Sequence, residues 1–124
     1  MLEQINGLPD FVVGIKATGE VTKEDLETIL IPALDQQVEK YDAIHYLLHL
    51  ETDVQNWDFG AWVSDAKVGL KHLTKWKKIA VVSGQEGVQK FTDIFSKLTP
   101  GEARGYAPDQ LETAKAWVSE QVAE

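Results

Sequence analysis

The chain has 124 residues, of which 44% are hydrophobic and 26% charged, with no cysteine and a net charge of −8. One domain spanning 1–124 is the expectation at this length, with a real core; disulfides, thiolate metal sites and cysteine nucleophiles are excluded. The acidic total argues against nucleic-acid binding, which needs counter-charge for phosphates, and no run approaches the ~20 apolar residues of a membrane span.

The N-terminal Met-Leu-Glu-Gln-Ile has no basic n-region and no long apolar run, so it does not read as a signal peptide. With the lack of cysteine, this leads to a cytoplasmic expectation. Charge is uneven along the chain. Residues 1–62 carry twelve acids and three lysines, and residues 63–124 carry eight acids and nine bases, so the halves net −9 and +1.

Leu2 to Ile5 reads as a short strand, and Asn6-Gly-Leu-Pro9 as a turn. Phe11 to Ala17 is a second strand, antiparallel to the first. Gly14 inside it signals a bulge or a close backbone approach. Thr22 caps a helix whose first turn is acidic. Leu26, Ile29, Leu30, Leu34, Val38 and Tyr41 repeat along it at helical spacing, and Pro32 predicts a kink.

Ala43 to Leu50 is a nearly continuous apolar strand, as expected for a sheet covered on both faces. The next element carries the most information. Asp58 caps a helix in which Phe59, Trp62, Val63, Ala66, Leu70 and Leu73 share one arc, and Trp57 packs against Trp62 across its start. Lys78 to Ser83 forms a fourth strand. Val88, Phe91, Ile94, Phe95 and Leu98 mark another helix, broken at Pro100-Gly101. Glu102 to Ala107 is a weak fifth strand. The last helix starts at Pro108 and turns Leu111, Ala114, Trp117, Val118 and Val122 inward. The order β-β-α-β-α-β-α-β-α predicts an α/β domain with a mostly parallel five-stranded sheet, an antiparallel first strand, and helices packed on the sheet.

Several of these features together resemble the SpoIIAA-like (STAS/SEC14-type) small bacterial proteins. They are Gly19 with Thr22-Lys-Glu-Asp25, Pro32, Phe59-Gly60, Trp62, Asp65-Ala66, Gly69-Leu-Lys-His72, Ile79-Ala-Val-Val82 and Ala114-Lys-Ala-Trp117. The resemblance covers nearly the whole chain and implies the same α/β fold. In the related anti-sigma-factor antagonists a serine in an Asp-Ser motif after the third strand is the phosphorylated switch. Here that region reads Glu51-Thr-Asp-Val-Gln-Asn-Trp-Asp58 and holds no serine, so the role is not carried over.

No catalytic constellation emerges. His45 and His49 lie at i and i+4 on one strand, hence on one face, without a third ligand at metal-site spacing; partly buried structural histidines are the expectation. His72 suits a helix C-terminus. Asp58 reads as a cap and Asp65 as a solvent or lysine partner. Gly84-Gln-Glu-Gly87 lacks the Walker and Rossmann patterns and reads as a plain strand–helix turn. No catalytic residue, metal ligand or cofactor site is therefore assigned, and the chain is read as a non-enzyme.

Five lysines and no acid lie between Ala66 and Gln85. Lys67, Lys71, Lys75 and Lys78, with Trp57, Trp62 and Trp76, form the candidate interaction surface. It suits an acidic protein, a second copy in a homodimer or larger homo-oligomer, or peripheral contact with an anionic membrane. Thr52, Asp53, Ser83 and Gln85 lie at carboxyl ends of strands, where open α/β sheets take ligands, and form the candidate ligand rim. The expected function is binding or regulation by protein–protein docking; the alternative is a carrier or sensor of a small apolar or lipid-like ligand.

Overall fold

A computed structural model of the chain describes residues 2–20, 22–51, 75–84, 88–89, 92–93 and 102–120, without the side chains of residues 23 and 26. The helix expected from Asp58 to Leu73 lies outside the described residues. Of the helix expected over 88–98, residues 88, 89, 92 and 93 are described, and all four are helical.

Five strands form one sheet in the order β1-β2-β3-β4-β5: Leu2–Gln4, Val12–Ala17, Ile44–Leu50, Trp76–Val82 and Glu102–Tyr106. β1 and β2 are antiparallel; the other three pairings are parallel. The first pair is joined through Gly7 at φ +86°, a backbone conformation that glycine adopts without strain. Gly14 is a close approach, with no register shift along β2. A Cβ there would run into the side chains of Leu8 and Ile5.

Between β2 and β3 the chain is helical in three pieces: α1 (Lys23–Asp25), a π turn (Leu26–Leu30) and α2 (Ile31–Tyr41). Thr22 and Asp25 cap the start reciprocally: the Asp25 N–H donates to Thr22 Oγ1 at 3.2 Å, and the Thr22 N–H to Asp25 Oδ2 at 3.1 Å. The irregularity expected at Pro32 takes the form of the wider π turn just before α2. Pro32 is the second residue of α2, directly after this turn, and donates no N–H to it. Asp42 ends α2 in the left-handed region at φ 54°, its N–H donating to Val38 O at 2.9 Å.

Strand alternation divides the core between the two faces of the sheet. On one face Val13, Ile15, Tyr46, Leu48, Ile79 and Val81 pack under Leu30 and Leu34. On the other, Val12, Leu47, Ala80 and Val82 pack under Ala114, Trp117 and Val118 of the last helix, α3 (Leu111–Val118). β3 is covered on both sides, which explains its near-continuous apolar sequence.

Trp76 shows how the pairing decides burial. Ile44 pairs with Trp76 but the next residue, His45, pairs with Lys78, so Lys77 is an extra residue in β4. Simple alternation would put Trp76 on the same face as Lys78, Ala80 and Val82. The extra residue turns it to the opposite face, edge-to-face with Tyr46 at 5.8 Å.

Candidate functional site

β4 and β5 end together at a small cavity. The Ser83 N–H donates to Tyr106 O at 3.0 Å, which joins the two ends. Gly84 O accepts the Val88 N–H at 3.0 Å. The cavity between these ends holds about 250 Å³ and is lined by Ser83, Gly84, Val88, Gly105, Tyr106, Ala107 and Pro108. Its walls depend on bare backbone. A Cβ on Gly105 would run into Val88, whereas one on Gly84 would meet open space. Gln110 fixes the loop below, accepting the Ala107 N–H on Oε1 and donating its own N–H to Ala107 O, both at 2.9 Å.

Ser83 is buried and Tyr106 half-buried; they supply the polar side chains of the lining. The Tyr106 ring leans on Trp117 at 6.3 Å, and Arg104 lies 4.8 Å over the same tryptophan. A hydrogen bond with Tyr106 holds the Arg104 guanidinium above its ordinary pKa; desolvation opposes this, and contact with Glu102 adds to the rise. The cavity thus offers an apolar wall, a hydroxyl and backbone polar groups, which can seat a compact apolar group with one or two hydrogen bonds.

A charged group lies at the ends of β2 and β3. Glu51 meets Lys16 Nζ at 3.3 Å through Oε2 and His49 Nε2 at 3.4 Å through Oε1. Burial lowers the His49 pKa, and Lys16 and Lys115 lower it further; Glu51 opposes them.

The candidate interaction surface changes character. Trp57, Trp62, Lys67 and Lys71 lie outside the described residues. Trp76 does not belong to an exposed surface: it is 3% exposed, turned into the core by the extra residue in β4. Lys78 is 8% exposed and likewise is no surface charge. Its Nζ donates to Trp117 O at 3.1 Å and pairs with Glu120 Oε2 at 3.2 Å, 4.8 Å from the centre of the Trp117 ring. Lys75 stays at the surface but pairs with Asp42 Oδ1 at 2.9 Å.

Of the candidate ligand rim, Thr52, Asp53 and Gln85 lie outside the described residues, as do His72, Asp58 and Asp65. Ser83 lines the cavity. His45 and His49 share a face, but four residue steps along the strand separate them by about 13 Å, too far to share a metal ion. His45 is buried, packs edge-to-face with Phe11 at 5.2 Å, and bonds through Nδ1 to Val118 O at 2.8 Å. Among the described residues, no group of three His, Cys, Asp or Glu side chains is placed to hold a metal.

Sequence reasoning missed Gly105 and Tyr106. A glycine inside a predicted strand was the available signal for the first, since it marks a close approach.

A scan against family models matches the SpoIIAA-like model over residues 12–119. The chain belongs to the SpoIIAA-like family. The match runs from the start of β2 to the turn after α3, and so includes every parallel strand of the sheet. Neither a search of curated proteins nor one of solved structures finds a match for this SpoIIAA-like chain. No helix among the described residues is long and apolar enough to cross a membrane.

Proposed function

We propose that this SpoIIAA-like domain is a non-enzymatic binding or regulatory module. It docks a protein partner at the carboxyl end of its sheet, without the serine phospho-switch of anti-sigma-factor antagonists. The observation that carries this reading is the cavity of about 250 Å³ between the ends of β4 and β5. It lies below the roughly 300–1,000 Å³ of sites that enclose drug-sized ligands. That size suits one apolar side chain of a partner, inserted as an anchor with a polar rim around it. Trp57, Trp62, Lys67 and Lys71 remain the proposed aromatic and charged complement of the docking surface.

The same size bears on the carrier reading. The alternative is a carrier or sensor of a small apolar or lipid-like ligand, of which this cavity would take a compact apolar part. Native mass spectrometry of protein purified gently from its own cells separates the two. A co-purifying polypeptide that dissociates on denaturation supports docking. A bound small molecule in place of a protein overturns docking in favour of the ligand reading.

A further inference from the structure

β5 is an edge strand, and among the described residues nothing pairs with it on the side away from β4. Tyr106 O accepts from Ser83, just past β4, so Tyr106 aims its backbone groups at β4. Along a parallel strand the N–H and C=O groups alternate sides residue by residue. Glu102 and Arg104 therefore also bond toward β4, whereas Ala103 and Gly105 aim theirs outward. At five residues this open edge is longer than the opposite one, where β1 has three.

We propose that β5 pairs antiparallel with β5 of a second copy of this chain, in a register centred on Ala103. This goes beyond the docking reading: it uses the open side of β5, whereas the cavity lies at the carboxyl end of that strand. The parity of the backbone allows a two-fold register centred on any residue of β5, and those centred on Ala103, Arg104 or Gly105 keep at least three of its residues paired. Centring on Arg104 sets two arginines face to face, which is destabilising. Centring on Gly105 puts Arg104 opposite Tyr106. Centring on Ala103 places Glu102 opposite the second copy's Arg104, and Arg104 opposite its Glu102. These are the narrow, non-hydrogen-bonded positions where facing side chains come closest. The two Ala103 residues exchange both N–H···O bonds at the centre.

Both charged side chains are more than half exposed, Arg104 52% and Glu102 56%, and they already meet within one strand at 3.1 Å, with Arg104 also resting over Trp117. The second copy would extend that pair into a cluster of four charges in which each has an opposite charge both along its strand and across the pairing. Charges often protect edge strands against self-association, but a Glu-x-Arg order reads as its own complement in the antiparallel sense.

Sedimentation velocity over a concentration series tests this with wild type, Glu102→Arg, Arg104→Glu and the double exchange. Wild type forms a dimer. Each single change turns two attractive cross-pairs into repulsive ones and weakens dimerisation about tenfold or more. The double exchange restores it. The Ala103 and Gly105 amides of wild type also exchange more slowly as concentration rises. A wild type that stays monomeric throughout overturns the proposal, as do singles that dimerise normally or a double exchange that fails to recover. Gly84→Phe, which alters the cavity, leaves the dimer intact, so failure here is distinguishable from failure of the docking reading.

Discussion

His45 and Lys78 stand opposite each other on β3 and β4 and together hold the end of α3. His45 Nδ1 bonds Val118 O at 2.8 Å, and Lys78 Nζ bonds Trp117 O at 3.1 Å. A helix end leaves carbonyls without intrahelical partners and carries partial negative charge. Two neighbouring strands supply the donors here. The lysine charge that reads as a surface feature in the sequence is thus part of how the last helix is fixed to the sheet.

Lys78 therefore tolerates substitution by shape and not by charge. Lys78→Met keeps the stem packed on Trp117 and loses about 1–2 kcal/mol with its hydrogen bonds. Lys78→Glu buries an unpaired carboxylate beside helix carbonyls and Glu120, and loses about 3 kcal/mol or more. Urea unfolding of the two variants measures the difference; equal losses contradict the account.

Acid weakens the fold through its histidines. Burial depresses the His45 pKa, and Lys78 and Lys77 add to this against the Val118 carbonyl; His49 is depressed by burial as well. The unfolded chain, with histidines near 6.5, then binds more protons than the folded one. The stability they contribute is full above about pH 6.5 and is lost as pH falls toward their lower folded values. Urea midpoints measured from pH 7.5 down to 5 decrease, and His45→Gln flattens part of that slope.

Gly14 has no room for a side chain. Gly14→Val forces Leu8 and Ile5 away from β2, and the loss is about 1–3 kcal/mol, typical of overpacking. Thermal unfolding shows a lower midpoint, while Gly84→Ala, with open space at its Cβ, shows a smaller change.

The helical start between β2 and β3 depends on its reciprocal cap. Thr22→Ala removes the acceptor for the Asp25 N–H and lowers stability by about 1 kcal/mol. Thr22→Ser retains most of it, as denaturant titration of the pair will read.

The sheet was legible because its signals are local. β3 is apolar throughout, Thr22 and Asp25 announce their cap, and the βα alternation leaves few topologies. What escaped depends on pairing between distant segments. Trp76 sits among lysines in sequence, and only the extra residue Lys77, visible once β4 pairs with β3, turns it inward. Lys78 belongs to the same cluster, but its partners Trp117 and Glu120 lie about forty residues away. The cavity was half legible: strand carboxyl ends are where ligands bind, which pointed to Ser83. Gly105 and Tyr106 join it only because β5 lies beside β4.

The most direct test of the docking claim compares wild type and Gly84→Phe for affinity to the protein that co-purifies with the chain. Gly84 lines the cavity and a Cβ there meets open space, so a ring is admitted at the rim where the partner's side chain is proposed to enter. Isothermal titration calorimetry is expected to show at least a tenfold weaker Kd, with the fold retained by circular dichroism. An unchanged Kd for a folded Gly84→Phe variant contradicts docking at this cavity.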